Sequence, residues 1–289
     1  MALVWQTTRY RIDLRRPQVM GIVNVTPDSF SDGGQFADAR SAMLHCDRLV
    51  AEGADMLDIG GESTRPGARS PDLAEERARL LPVLAHAVTL GLPVSVDTSR
   101  PELMQEAIAL GVDIVNDVRA LQRPGALAVL ASAPTTGVCL MHMQGEPGAM
   151  QQLPNYAGDV VDEVSGFLQR RLAQVHAAGV ALHRIALDPG IGFGKLPAHN
   201  WALLQRQHAL LALGQPLVLG WSRKSSLGQL TGRPVAQRLA ASVAAALACI
   251  QRGGHVLRVH DVAATVDAFK VWHAAGLLPT PFSPEPGRG

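Results

Sequence analysis

The chain is short of the features that announce several function classes. Cysteine is scarce: Cys46, Cys139 and Cys249 are an odd number at wide spacing, with no C-x-x-C. That argues against a disulfide scaffold or a cysteine zinc site and suits a reducing cytoplasm. Excess charge is missing too, because 26 Lys and Arg face 25 Asp and Glu. A general nucleic-acid binder shows a basic excess, so no nucleic-acid partner is expected. The ten histidines include no H-E-x-x-H pair. No apolar run is long. Leu239 to Ile250 is interrupted by Ser242 and falls short of the roughly 20 residues a spanning helix needs. Met1 to Arg16 lacks the apolar core of a signal peptide. The expectation is a soluble cytoplasmic enzyme with no membrane partner.

What is present is a globular pattern: 289 residues, 47% hydrophobic and 18% charged. Eight short apolar runs end or begin at Val19–Asn24, Met56–Gly60, Pro93–Asp97, Val112–Asn116, Thr136–His142, Arg184–Asp188, Pro216–Gly220 and His255–His260. They are rich in Val, Ile and Leu without strict alternation, as parallel strands covered on both faces are. Helical spacing lies between them. Ala39, Ala42, Met43, Cys46, Leu49 and Val50 share a face, with Gly53 at a stop position. Thr98–Ser99 offers a cap before Pro101, and Gly111 ends that helix. Eight strand–helix units predict a (β/α)8 barrel, an α/β fold of TIM type. An open doubly wound sheet is the competitor, weakened by the lack of G-x-G-x-x-G after the first strand. The chain reads as one domain over 1–289, with a frayed Pro/Gly-rich tail at 279–289. The alanine-rich stretch from Leu239 to Cys249 is either a buried packing helix or a dimer contact.

A barrel places its site at the carboxyl ends of the strands. Polar residues stand at nearly every such end: Asn24, Glu62 to Arg65, Asp97, Asn116, His142, Asp188, Ser222 to Lys224, Arg258 and His260. Singly, each is equally a turn residue or a rim charge. Together they form two chemical sets. Arg65, Arg258 and His260 suit an anion, and Asn24 offers a neutral oxygen to a hard cation such as magnesium, which keeps waters and phosphate oxygens in its shell. Asp97, Asn116, Asp188 and Lys224 suit a flat heterocycle with donor and acceptor edges. For Lys224, a structural ion pair with an Asp is the competing reading. Two loops, 26–34 and 60–67, combine glycine, proline and small polar residues, the composition of mobile lids over a barrel mouth.

The motifs Met20-Gly-Ile-Val-Asn-Val-Thr-Pro-Asp-Ser-Phe-Ser-Asp-Gly-Gly34 and Asp58-Ile-Gly-Gly-Glu-Ser-Thr-Arg-Pro-Gly67 stand first in order. Val94–Thr98, Ile114–Asp117, Asp188–Lys195, Ser222–Ser225 and Arg258–Asp261 follow. This ordered set resembles the dihydropteroate synthase family over about residues 18–275. The resemblance implies a (β/α)8 barrel, a homodimer, and condensation of 7,8-dihydropterin-6-ylmethyl diphosphate with 4-aminobenzoate to 7,8-dihydropteroate and diphosphate. It implies a pterin pocket of Asp97, Asn116, Asp188 and Lys224 lined by Met141, Phe193 and Gly220. It places the diphosphate at Arg65, Arg258 and His260, with Asn24 acting through Mg2+ and Asp32 joining that shell. It places 4-aminobenzoate, and competing sulfonamides, near Thr64, Pro66, Phe30, Pro27, Lys224 and Ser225. Ile191 stands where the family often has an aromatic, and Trp221 where a smaller residue is frequent.

Three rival readings share some of these residues. A methyltetrahydrofolate-type pterin methyltransferase would keep the Asp and Asn ring readers but would not need Lys224 or Arg258-Val-His260. A Schiff-base aldolase would use Lys224 as its amine. A non-catalytic pterin-binding paralogue would keep the pocket without turnover.

Overall fold

A computed structural model of the chain describes residues 3–25, 34–62, 71–145 and 154–278. The predicted lid segments fall largely outside the described residues, and so does the tail at 279–289.

All eight predicted strands form. A short hairpin, β1 (Val4–Gln6) and β2 (Arg11–Asp13), precedes them. The barrel strands are β3 (Gln18–Asn24), β4 (Met56–Gly60), β5 (Val94–Asp97), β6 (Ile114–Asp117), β7 (Gly137–Met141), β8 (Ile185–Asp188), β9 (Val218–Leu219) and β10 (Val256–Val259). They pair in parallel in the order β8-β7-β6-β5-β4-β3-β10-β9. A parallel bridge between Leu187 and Leu217 joins the two ends of that sheet. There Leu187 N–H donates to Pro216 O at 2.8 Å. The result is a TIM barrel.

Helices fill the connections: α1 (Gly34–Ala51), α2 (Leu73–Ala87), α3 (Pro101–Ala109), α4 (Ala126–Ser132), α5 (Val160–Ala177), α6 (Pro197–Gln205), α7 (Gln207–Leu211), α8 (Ser225–Thr231), α9 (Leu239–Gln251) and α10 (Val262–Ala274). Among the described residues no helix is long and apolar enough to cross a membrane. The expected cap at Thr98–Ser99 is corrected. The N-cap of α3 is Arg100, which makes no side-chain cap bond. Thr98 Oγ1 instead donates to the buried Glu76 carboxylate at 2.8 Å, and Ser99 Oγ donates to Asp117. Both hydroxyls are drawn into carboxylates buried behind the strand ends.

Strand alternation makes two cores. Outward residues such as Val19, Leu57, Ile59, Val94, Val96, Val138, Leu140 and Leu257 pack under the helices. Inward residues Met20, Met56, Ile114, Cys139, Ala186, Val218 and Val256 fill the lower barrel. The hairpin closes that end: Trp5 is fully buried in the inner cluster and its indole N–H donates to Arg184 O at 2.9 Å. Trp5→Ala is expected to cost about 3–5 kcal/mol, read by denaturant unfolding. A loss below about 1 kcal/mol would mean that the hairpin plugs nothing.

Candidate active site

The inward parity that fills the lower barrel continues to its other end. Two or four residues beyond the inner-core positions stand Asn24, Asp58, Gly60, Asn116, Met141, Asp188, Gly220, Arg258 and His260. On β5, where Val94 and Val96 face the helices, Ser95 and Asp97 take the inward positions. One repeat of two thus brings residues from seven barrel strands, and from the segment just after the eighth, to one mouth.

The two chemical sets are not separate. Arg258 Nη2 donates to Asp97 Oδ2 at 2.9 Å, and its Nε donates to Asp58 Oδ2 at 2.5 Å. Asn116 Nδ2 reaches the same Asp58 oxygen at 3.1 Å. The guanidinium assigned to an anion is therefore anchored by a carboxylate assigned to the ring. Three of its five N–H groups remain for other acceptors. Burial, and then the Asp58 carboxylate, push Asp97 above the ordinary carboxylate range, while Arg258 holds it down.

Across the mouth, Asp188 is buried, and its Oδ1 accepts from Gly190 N–H at 2.6 Å. Burial raises its pKa; the Gly190 N–H and the charge of Lys224 oppose the rise. Among the described residues Lys224 makes no ion pair with an Asp. Its ammonium lies 4.3 Å from the centre of the Phe193 ring, a cation–π contact. Burial and then Arg258 lower Lys224 to about 8. Phe193 packs with Met141 and Val118 as an apolar wall. A side chain at Gly220 would meet no atom within 4 Å, so this position leaves open space. Ser225 is exposed at the start of α8. His260 Nδ1 lies 3.0 Å from Ser222 Oγ. Burial, then Arg223 and Arg258, drop His260 to about 3, so the imidazole is neutral. Thr64, Arg65, Pro66, Phe30, Pro27 and Asp32 lie outside the described residues.

The wall is held by residues to which strand-end reading assigned no role. Lys195 is 2% exposed. Its ammonium lies 2.9 Å from His142 Nδ1 and donates to the carbonyls of Gly190 (3.0 Å), Phe193 (3.1 Å) and His142 (3.3 Å). It ties the β8 loop to the end of β7. The approach is close enough to require glycine. At Gly190 (φ +68°) a Cβ would stand 1.9 Å from His142 O, and at Gly194 (φ +61°) 2.3 Å from Gln144 O. Asn200 accepts from Gly192 N–H and donates to Ser226 Oγ, both at 2.9 Å, joining the loop to α8. Asp58 is the other omission. It sits two residues below the end of β4, and a charged residue on inward parity in a buried strand was its signal.

The family model described as pterin binding enzyme matches residues 20–260. Dihydropteroate synthase of Neisseria meningitidis serogroup B is 53% identical over 280 residues, which is 95% of this chain and 98% of the relative. The chain belongs to the dihydropteroate synthase family. Among solved structures, dihydropteroate synthase of Xanthomonas albilineans with 4-aminobenzoic acid superposes with a TM-score of 0.90 at 49% identity, covering 96% of this chain and 100% of that one. The Xanthomonas albilineans enzyme in complex with 7,8-dihydropteroate gives 0.84 at 48% identity, covering 93% and 97%. At the mouth of this dihydropteroate synthase family barrel, the chain anchors Arg258 on two carboxylates and sets Lys224 over an apolar wall.

Proposed function

We propose that this chain condenses 7,8-dihydropterin-6-ylmethyl diphosphate with 4-aminobenzoate, giving 7,8-dihydropteroate and diphosphate. The observation that carries the reading is the convergence of Asp97, Asn116, Asp188 and Lys224 beside an anchored Arg258 at one mouth. The ligands named for the two Xanthomonas albilineans structures support it.

In this reading the pterin lies against Phe193 and Met141. Asp188 accepts its amino and ring N–H groups, Asn116 accepts another, and Lys224 donates to its carbonyl. The bond from the pterin methylene carbon to the diphosphate oxygen breaks, and the electron pair leaves with diphosphate. Arg258 stabilises the charge building there, with Arg65, and His260 contributes as a neutral N–H donor. The buried carboxylates favour the positive charge left on the ring. The amine of 4-aminobenzoate attacks the methylene carbon, and its proton passes to solvent. An aryl amine is nucleophilic at neutral pH, so the step needs no strong base. The 4-aminobenzoate carboxylate is assigned to Lys224 and Ser225, with Thr64, Pro66, Phe30 and Pro27 shaping its pocket, where sulfonamides would compete.

A divalent cation fits one described residue. Asn24 ends β3 on inward parity, and its amide has no hydrogen-bond partner among the described residues. No group of three His, Cys, Asp or Glu is positioned to cage a metal among the described residues. That donor set suits magnesium, which brings waters and phosphate oxygens with it. Asn24, with Asp32, would hold the ion, and the bound ion would supply charge neutralisation to the leaving diphosphate. A homodimer is proposed, and Leu230, Val235 and Leu239, which are 68%, 56% and 47% exposed, are candidates for its contact. Three buried free cysteines suit the proposed cytoplasmic setting.

The test is a coupled diphosphate-release assay with pterin diphosphate and magnesium. Release that requires 4-aminobenzoate and forms dihydropteroate supports the reading. Pterin binding without product rejects it. Chelation with EDTA is expected to abolish turnover and excess magnesium to restore it; full activity in chelator rejects the metal assignment.

A further inference from the structure

Asp58 is fully buried in the middle of the barrel, at the height where its cross-strand partners are Ile22 and Ser95. Its two oxygens are used unequally. Oδ2 accepts from both Arg258 Nε and Asn116 Nδ2, while Oδ1 has no partner among the described residues. A buried polar atom left unpaired is costly, and an apolar residue of similar volume would pack there without that cost. The carboxylate is therefore poorly explained by stability alone. An ionised carboxylate only accepts, so it dictates which end of the Asn116 amide faces it. With Nδ2 committed to Asp58, the amide has its carbonyl oxygen left for a ligand.

We infer that Asp58 is a positioning residue for the pterin site: through one oxygen it holds the Arg258 guanidinium in place and turns the Asn116 amide so that an acceptor, not a donor, reads the substrate. The inference rests on the pterin reading above and adds a specificity determinant one layer beneath it. It also couples the ring reader to the residue that meets the leaving group, because both donors share a single acceptor atom.

The first experiment is Asp58→Asn in the full-length protein, with steady-state constants for both substrates. The expected result is a KM for pterin diphosphate raised about tenfold or more, with the KM for 4-aminobenzoate within about twofold. A merely structural role would lower the active fraction, and so kcat, and leave both KM values unchanged; that result overturns the inference. Should Asp58→Asn not fold, Asn116→Asp asks the same question. An aspartic acid there must carry a proton to donate to Asp58 and offer a carbonyl oxygen to the ligand. The charged groups around it are Asp58 on β4, Asp97 on β5, Arg258 on β10 and the adjacent Asp117. Relative to wild type at each pH, its affinity for the pterin diphosphate should improve about tenfold from pH 8 to pH 5.5. A ratio independent of pH overturns the inference. A wild-type protein that binds no pterin diphosphate overturns the parent reading instead, so the two failures are distinct.

Discussion

Arg258→Ala is expected to lower kcat by about 10²-fold or more and to destabilise the barrel at the same time. The two losses have different causes. The catalytic loss comes from removing charge stabilisation where the diphosphate leaves. The stability loss comes from the partners left behind: Asp58 is fully buried, and both it and Asp97 lose their only cation among the described ion pairs. Breaking a buried pair from one side costs about 3–5 kcal/mol. Without the guanidinium Asp97 rises further above the carboxylate range, since Arg258 is what opposes burial there. Denaturant unfolding reads the stability term; single-turnover diphosphate release on the folded fraction reads the chemical one. Arg258→Lys keeps a charge but cannot reach both carboxylates as a fork does, so it should recover part of the stability and little of the rate. If Arg258→Ala weakens binding of free pterin as much as it slows diphosphate loss, the leaving-group role is wrong.

The barrel was legible because parallel strands buried on both faces leave uninterrupted Val, Ile and Leu runs, and each predicted run overlaps its strand. The hairpin Val4–Gln6 and Arg11–Asp13 was not, because three-residue strands carry no period to detect. Its role depends on Trp5 reaching the inner core, whose other members lie as far along the chain as Val256. The site was legible as a set of strand ends but not as a network. Asp97 and Arg258 are 161 positions apart, so no spacing announces that they bond. Asp58 was overlooked because a strand-end reading stops at the last residue, while inward parity also exposes the layer beneath. Lys224 turned out to rest on Phe193 where an Asp partner was the alternative. Ring contacts depend on loop geometry, and this loop's course is set by glycines 190 and 194 and by the Lys195 clamp.

Asp188→Asn should be the most damaging conservative change to pterin binding. The substitution keeps the volume, and the remaining carbonyl oxygen can still accept from Gly190 N–H, so the β8 loop should stay in place. What changes is the second oxygen, which becomes an NH2 facing the amino and ring N–H groups assigned to it. Two donors then oppose each other in a buried site, and the counter-charge for Lys224 disappears. A hydrogen bond to a charged group is worth about 1.5–3 kcal/mol, so loss of the paired contact should weaken pterin binding by about 10²-fold. The stability cost should be small by comparison, because burial already disfavours the charged carboxylate at this position. Lys224, no longer held up by that charge, should titrate below its value of about 8 in the wild type. Pterin binding measured by calorimetry across pH 6 to 9 tests both statements. An affinity within about threefold of wild type would remove Asp188 from the pocket, whatever the variant's turnover.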